Sequence, residues 1–73
     1  MGTKIQTFGP KQVHEGRIER YEYYAEAVGA DGRMYYATGR ARPTPFVQEQ
    51  ERFRQDAGEL LKRRMTEEGV WEE

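Results

Sequence analysis

The chain reads as an α+β domain, a small antiparallel sheet of two or three strands packed on one long amphipathic α-helix. Three observations predict this. Asp31-Gly32 stands between two runs rich in tyrosine and alanine, a β-hairpin signature, because glycine takes the positive φ that such a turn needs. Beyond Pro43, apolar residues recur at helical spacing as far as Met65. Finally, the 73 residues include no cysteine, so no disulfide or thiolate metal site staples the chain and one sheet–helix interface has to carry its stability.

Residues 1–73 are expected to form a single domain with three segments. For 1–16 two readings stand. Ile5 and Phe8 suit an ordered edge strand or arm that Gly9-Pro10 would end, while the polar run from Lys11 to Gly16 suits a flexible tail. The hairpin occupies 17–42. With Ala30-Asp31-Gly32 as a three-residue loop, Gly29 faces Arg33, and counting outward pairs Ala27 with Tyr35, Ala25 with Ala37, Tyr23 with Gly39 and Tyr21 with Ala41. The other face pairs Val28 with Met34, Glu26 with Tyr36, Tyr24 with Thr38 and Glu22 with Arg40. A slip by one residue would bury Glu22, Glu26 and Arg40, so the hydrophobic pattern selects this register.

The helix occupies 44–69. Thr44 is the expected cap and Pro45 the first helical residue, where its missing N–H costs nothing. Phe46, Phe53, Ala57, Leu60, Leu61 and Met65 make the apolar stripe, with Arg52–Asp56 and Glu59–Arg63 as one-turn pairs on the wet side. Gly69 supplies a C-terminal cap, and Val70 or Trp71 folds back or stands out as an anchor. The expected core is Tyr21, Tyr23, Ala25, Ala27, Tyr35, Ala37, Phe46, Phe53, Ala57, Leu60 and Leu61.

Composition narrows the function classes. Twelve Lys and Arg balance thirteen Asp and Glu, without the basic excess that phosphate neutralisation calls for in a nucleic-acid binder. No apolar stretch is long enough to span a membrane and no signal-peptide pattern begins the chain, so a cytoplasmic protein is expected. There is no serine and only one histidine, His14, which removes serine nucleophiles and histidine-rich metal clusters. His14-Glu15 has no partner nearby in sequence, and Glu19, Glu22 and Glu26 read as solvated strand carboxylates rather than an acid–base site, since such a site needs a pocket. The expectation is a non-enzyme with no cofactor and no metal.

Two surfaces remain. Glu22, Tyr24, Glu26, Met34, Tyr36 and Arg40 form a tyrosine-and-methionine face suited to a protein partner, on which charge reversal at Glu22 and Glu26 should abolish binding without lowering stability. Arg40, Arg42, Lys62, Arg63 and Arg64 are the alternative, a nucleic-acid set with tyrosines available for stacking. A thin core and an open tyrosine face also make a homodimer reasonable.

Two family resemblances bear on this choice. Tyr21 to Met65 resembles the hairpin-then-helix half of a double-stranded RNA-binding domain, with Gly39-Arg40-Ala41-Arg42 leading toward the last helix. However, Pro43 stands where that family carries the second lysine of a pair, and both the first helix and the alanine-rich helix start are missing. Those departures remove most of the phosphate-contacting residues, and the activity is not carried over. The whole chain is similar in type to the small phage-encoded anti-CRISPR inhibitors: one sheet, one helix, dense mixed charge and no enzyme motif, with Asp31 to Arg42 in that style. That resemblance implies a phage-type inhibitor that blocks a host defence or nucleic-acid-processing complex.

Overall fold

A computed structural model describes residues 2–73. Strands β1 (Gln6–Glu15), β2 (Ile18–Val28) and β3 (Met34–Ala41) form an antiparallel meander in the order β1-β2-β3, and helix α1 (Val47–Glu67) packs across one face of it. The hairpin has the expected register throughout, from Tyr21 opposite Ala41 to Val28 opposite Met34. The turn closes with the Gly32 N–H donating to the Gly29 carbonyl and the Gly29 N–H donating to the Arg33 carbonyl. Asp31 braces it from inside: its carboxylate accepts from the Arg33 N–H at 3.1 Å and from the Tyr35 hydroxyl at 2.6 Å.

The alanines decide where the core sits. Ala25, Ala27 and Ala37 give the sheet a floor of small side chains, so α1 can approach closely and set Ala57, Leu61 and Met65 against it. Tyr23 closes one end, its ring 5.5 Å from that of Phe53, and burial holds its hydroxyl above the ordinary phenol pKa. Tyr21, Tyr35, Phe53 and Leu60 pack around these as partly buried residues, joined by Ile5, Ala41, Val70 and Trp71. Trp71 therefore belongs to the rim of the core, and the Lys62 ammonium lies 5.1 Å over its ring.

Phe46 departs from the expected core, being 63% exposed. Its spacing fits the stripe, but its backbone is extended, and the helix begins one residue later without a side-chain cap. Thr44 Oγ1 accepts from the Phe46 N–H at 3.2 Å and the Gln50 side chain donates to the Thr44 carbonyl at 2.9 Å, so these bonds hold the linker across the helix start instead of continuing the helix back to Pro45. The Arg52–Asp56 and Glu59–Arg63 pairs do not form; the ion pair on the helix is Glu51–Arg54 at 3.5 Å. The C-terminus matches expectation. The Gly69 N–H reaches the Thr66 carbonyl and the Val70 N–H reaches that of Met65, a Schellman motif with Gly69 at φ +75°.

The N-terminal segment is a full strand. Gly9-Pro10 does not end it; the register shifts between Phe8 and Lys11, so that one extra residue on β1 is absorbed as a bulge. Gly9 is required there. Its φ is +121°, and a Cβ would come within 2.8 Å of the Glu22 carbonyl oxygen. Arg54 donates to the Gly9 carbonyl at 2.8 Å, which ties the bulge to the helix. The two chain ends are bonded to each other, from the Thr3 N–H to the Glu72 carbonyl and from the Glu72 N–H to Thr3 Oγ1, while the Ala30 N–H holds the Val70 carbonyl.

Candidate functional site

Strand alternation sends every second side chain to the face opposite α1. On β2 that face carries Ile18, Arg20, Glu22, Tyr24, Glu26 and Val28, and on β3 Met34, Tyr36, Thr38 and Arg40. β1 adds Gln6 and Phe8 before the bulge, then Lys11, Val13 and Glu15 after it. No element among the described residues covers this face. All six residues expected to meet a protein partner, Glu22, Tyr24, Glu26, Met34, Tyr36 and Arg40, therefore lie together on it. Phe8, Val28 and Ile18 are exposed apolar residues on the same surface. Phe8 is outside the expected set because its place depends on β1 pairing with β2; the short alternation of Gln6 and Phe8 is the local signal for it.

The face has two different ends. Toward the β1–β2 turn, Arg40 reaches across the sheet. Its Nε donates to Glu22 at 2.8 Å and its Nη1 to Glu15, while the Tyr24 hydroxyl donates to the other Glu22 oxygen. The hydrogen bond to Glu22, followed by the charge of Glu15, holds the guanidinium above its ordinary pKa. Glu22 is only 8% exposed, so it serves as the buried hub of a network spanning all three strands. This corrects the expectation that its charge could be reversed without loss of stability. Glu19 is also off this surface, because it pairs with His14 one residue out of phase with Glu22.

Toward the Asp31 turn the face is apolar and aromatic. Glu26 sits there on the central strand between Gln6 and Tyr36, flanked along β2 by Tyr24 and Val28, with Phe8 and Met34 at the corners. Tyr36 is 62% exposed. Glu26 is half-buried and makes no hydrogen bond or ion pair among the described residues, unlike Glu22 four residues earlier on the same face.

The alternative basic set is not brought together. Arg40 lies on the open face, committed to Glu22 and Glu15, and Arg42 follows β3 in the linker. Lys62, Arg63 and Arg64 are on α1, which occupies the other layer of the molecule. His14 and Glu15 lie at the end of β1, where Glu15 takes part in the Arg40 network. No family model matches the chain, and neither a curated protein nor a solved structure matches it.

Proposed function

We propose that this protein is a non-enzymatic protein-binding module and that the open face of its sheet is the contact surface. The observation that supports this most is Glu26, a carboxylate with no hydrogen bond or ion pair among the described residues, in the middle of a patch made by Phe8, Tyr24, Val28, Met34 and Tyr36. A charge ringed by aromatic and aliphatic groups is well placed to receive one opposite charge while the ring excludes water around the pair. The partner is accordingly a protein presenting an arginine or lysine flanked by apolar side chains. A module of this kind acts by occupying the partner's surface. The likeness in type to phage-encoded inhibitors points the same way, toward a stoichiometric blocker that covers a basic surface of a nucleic-acid-handling complex.

Affinity capture with the immobilised chain tests this when wild type, Glu26→Lys and Tyr36→Ala are compared, each with and without nuclease. A protein held by wild type in both conditions, and lost with both variants while their melting is unchanged, is the expected result. Retention of that protein by Glu26→Lys refutes the assignment of the surface. Capture that vanishes with nuclease and survives both substitutions would instead assign the contact to nucleic acid through Arg42, Lys62, Arg63 and Arg64.

A further inference from the structure

The outer edge of β3 offers a second interaction surface, distinct from the open face. The Gly29 N–H to Arg33 carbonyl bond fixes the alternation along the hairpin: Tyr35, Ala37, Gly39 and Ala41 direct their backbone groups toward β2. Met34, Tyr36, Thr38 and Arg40 consequently direct theirs outward, where no strand follows among the described residues. The opposite edge, on β1, is interrupted by a bulge and by Pro10, which has no N–H to offer. β3 carries neither proline nor bulge, and its stretch from Met34 to Thr38 is uncharged. It is an unprotected edge.

The sequence of that edge says what fits it. β3 pairs on its inner side with Tyr23-Tyr24-Ala25, and β3 itself contains the same three residues as Tyr35-Tyr36-Ala37. A second β3 laid antiparallel along the free edge, with Ala37 opposite Ala37 of the other copy, repeats the pairs already made inside the chain. Tyr36 meets Thr38 as Tyr24 does, Tyr35 meets Gly39 as Tyr23 does, and alanine meets alanine. In this register the outward N–H and C=O groups of Tyr36 and Thr38 satisfy one another across the two-fold axis. Beside the same edge, an open groove of ≈ 290 Å³ lined by Gly39, Arg40, Ala41, Phe53, Asp56 and Leu60 leaves the helix side of β3 accessible.

We infer that the chain forms a homodimer through β3, joining two sheets into one continuous antiparallel sheet with Ala37 on the symmetry axis. Both open faces then lie on the same side of the dimer, so the module presents two copies of its Glu26 patch.

Sedimentation velocity of the full chain over a concentration series reaching the millimolar range reads the mass, which should double from 8.6 kDa. Thr38→Pro removes an N–H that points away from β2, so the ladder inside the chain is kept; it should raise the dimer dissociation constant at least about tenfold. The register has its own test, since the chain holds no cysteine to interfere. A mixture of Tyr36→Cys and Thr38→Cys chains, whose new thiols face each other on the open side of the sheet in this register, should oxidise to a mixed disulfide-linked dimer, whereas either variant oxidised alone should not. A wild type that stays monomeric throughout overturns the inference. So does a dimer that Thr38→Pro leaves intact, or cross-linking of either variant alone that equals or exceeds that of the mixture. Glu26→Lys should leave the dimer untouched, so failure of edge pairing and failure of the face assignment are told apart.

Discussion

Replacing Leu61 by alanine tests the alanine floor most directly. Leu61 is 1% exposed and shares one buried cluster with Ala25, Ala27, Ala37 and Met65. The substitution deletes three carbons, about 2–2.5 kcal/mol of transfer free energy at ~0.8 kcal/mol per methylene. The cavity left behind adds to this, because a backbone already in close contact with the sheet has little room to collapse, and the total becomes about 3–4 kcal/mol. Set against the stability of roughly 4–11 kcal/mol expected for a chain this short, that loss removes between about a quarter and all of it. With an unfolding entropy of about 2.1 cal/mol/K per residue, the melting temperature should fall by about 20–25 °C. Far-UV circular dichroism and Trp71 fluorescence, followed together through thermal unfolding, measure it by two independent signals. Phe46→Ala is the internal control. It lies on the same apolar stripe in sequence, yet it is exposed and should shift stability by no more than about 0.5 kcal/mol. A Leu61→Ala midpoint as close to wild type as that of Phe46→Ala would refute the packing described for this face of α1.

Gly69→Ala should cost about 1 kcal/mol: nothing lies within 4 Å of the added Cβ, so the penalty is the positive φ alone, and urea unfolding of the variant measures it. Asp31 gives a pH dependence of known sign. The hydrogen bond from Tyr35, then that from the Arg33 N–H, lowers the Asp31 pKa below the ordinary 3.8, and the bond to Asp31 raises that of the Tyr35 hydroxyl, so the Asp31 contribution to stability is present above 3.8 and is lost as pH falls through the lower, folded-state pKa. Wild type and Asp31→Asn should therefore differ in stability at neutral pH and converge in strong acid, and a constant difference down the acid limb would contradict the Asp31–Tyr35 bond. Glu22→Lys should lower the melting temperature well beyond Glu26→Lys, because it places a second cation beside Arg40 at a buried position; equal melting of the two variants would remove Glu22 from the hub of the network.

The hairpin was legible to the residue because its information is local. A turn of known geometry fixes one pair, and the two faces differ so sharply in chemistry that only one register keeps the carboxylates out of the core. Phe46 shows where periodicity fails, since spacing places a residue on a stripe but does not say whether the helix has begun. The linker bonds of Thr44 and Gln50, six residues apart, decide that. β1 was half legible for a different reason. Gly9-Pro10 looks like an ending in sequence and is instead a bulge within the β1–β2 pairing, its carbonyl held by Arg54 far along the chain, while Glu72 binds Thr3 ahead of the strand. The six residues of the candidate face come together because alternation on a correctly registered hairpin puts them there. That Glu22 is buried and Glu26 is not could not be seen, because the difference is made by Glu15 and Arg40, brought within reach of each other only once β1 joins the sheet.

That difference between two carboxylates on one strand is also the strongest argument about function. Glu22 and Glu26 share a face, a strand and a charge, and if both served only to keep the sheet wetted, their surroundings would be alike. Instead the structure gives Glu22 a cross-strand arginine and a tyrosine hydroxyl, and gives Glu26 a glutamine and an aromatic ring as its neighbours. Lys11, Arg20 and Arg40, the cations of the open face, all lie toward the β1–β2 turn, where Arg40 joins β3 to β1 through Glu22 and Glu15. The other end keeps its charge unspent beside Phe8, Tyr36 and Met34, where exposing apolar surface costs free energy until something covers it. On the proposed reading, stability and recognition divide the face between them, and Glu26→Lys should damage the second while leaving the first intact.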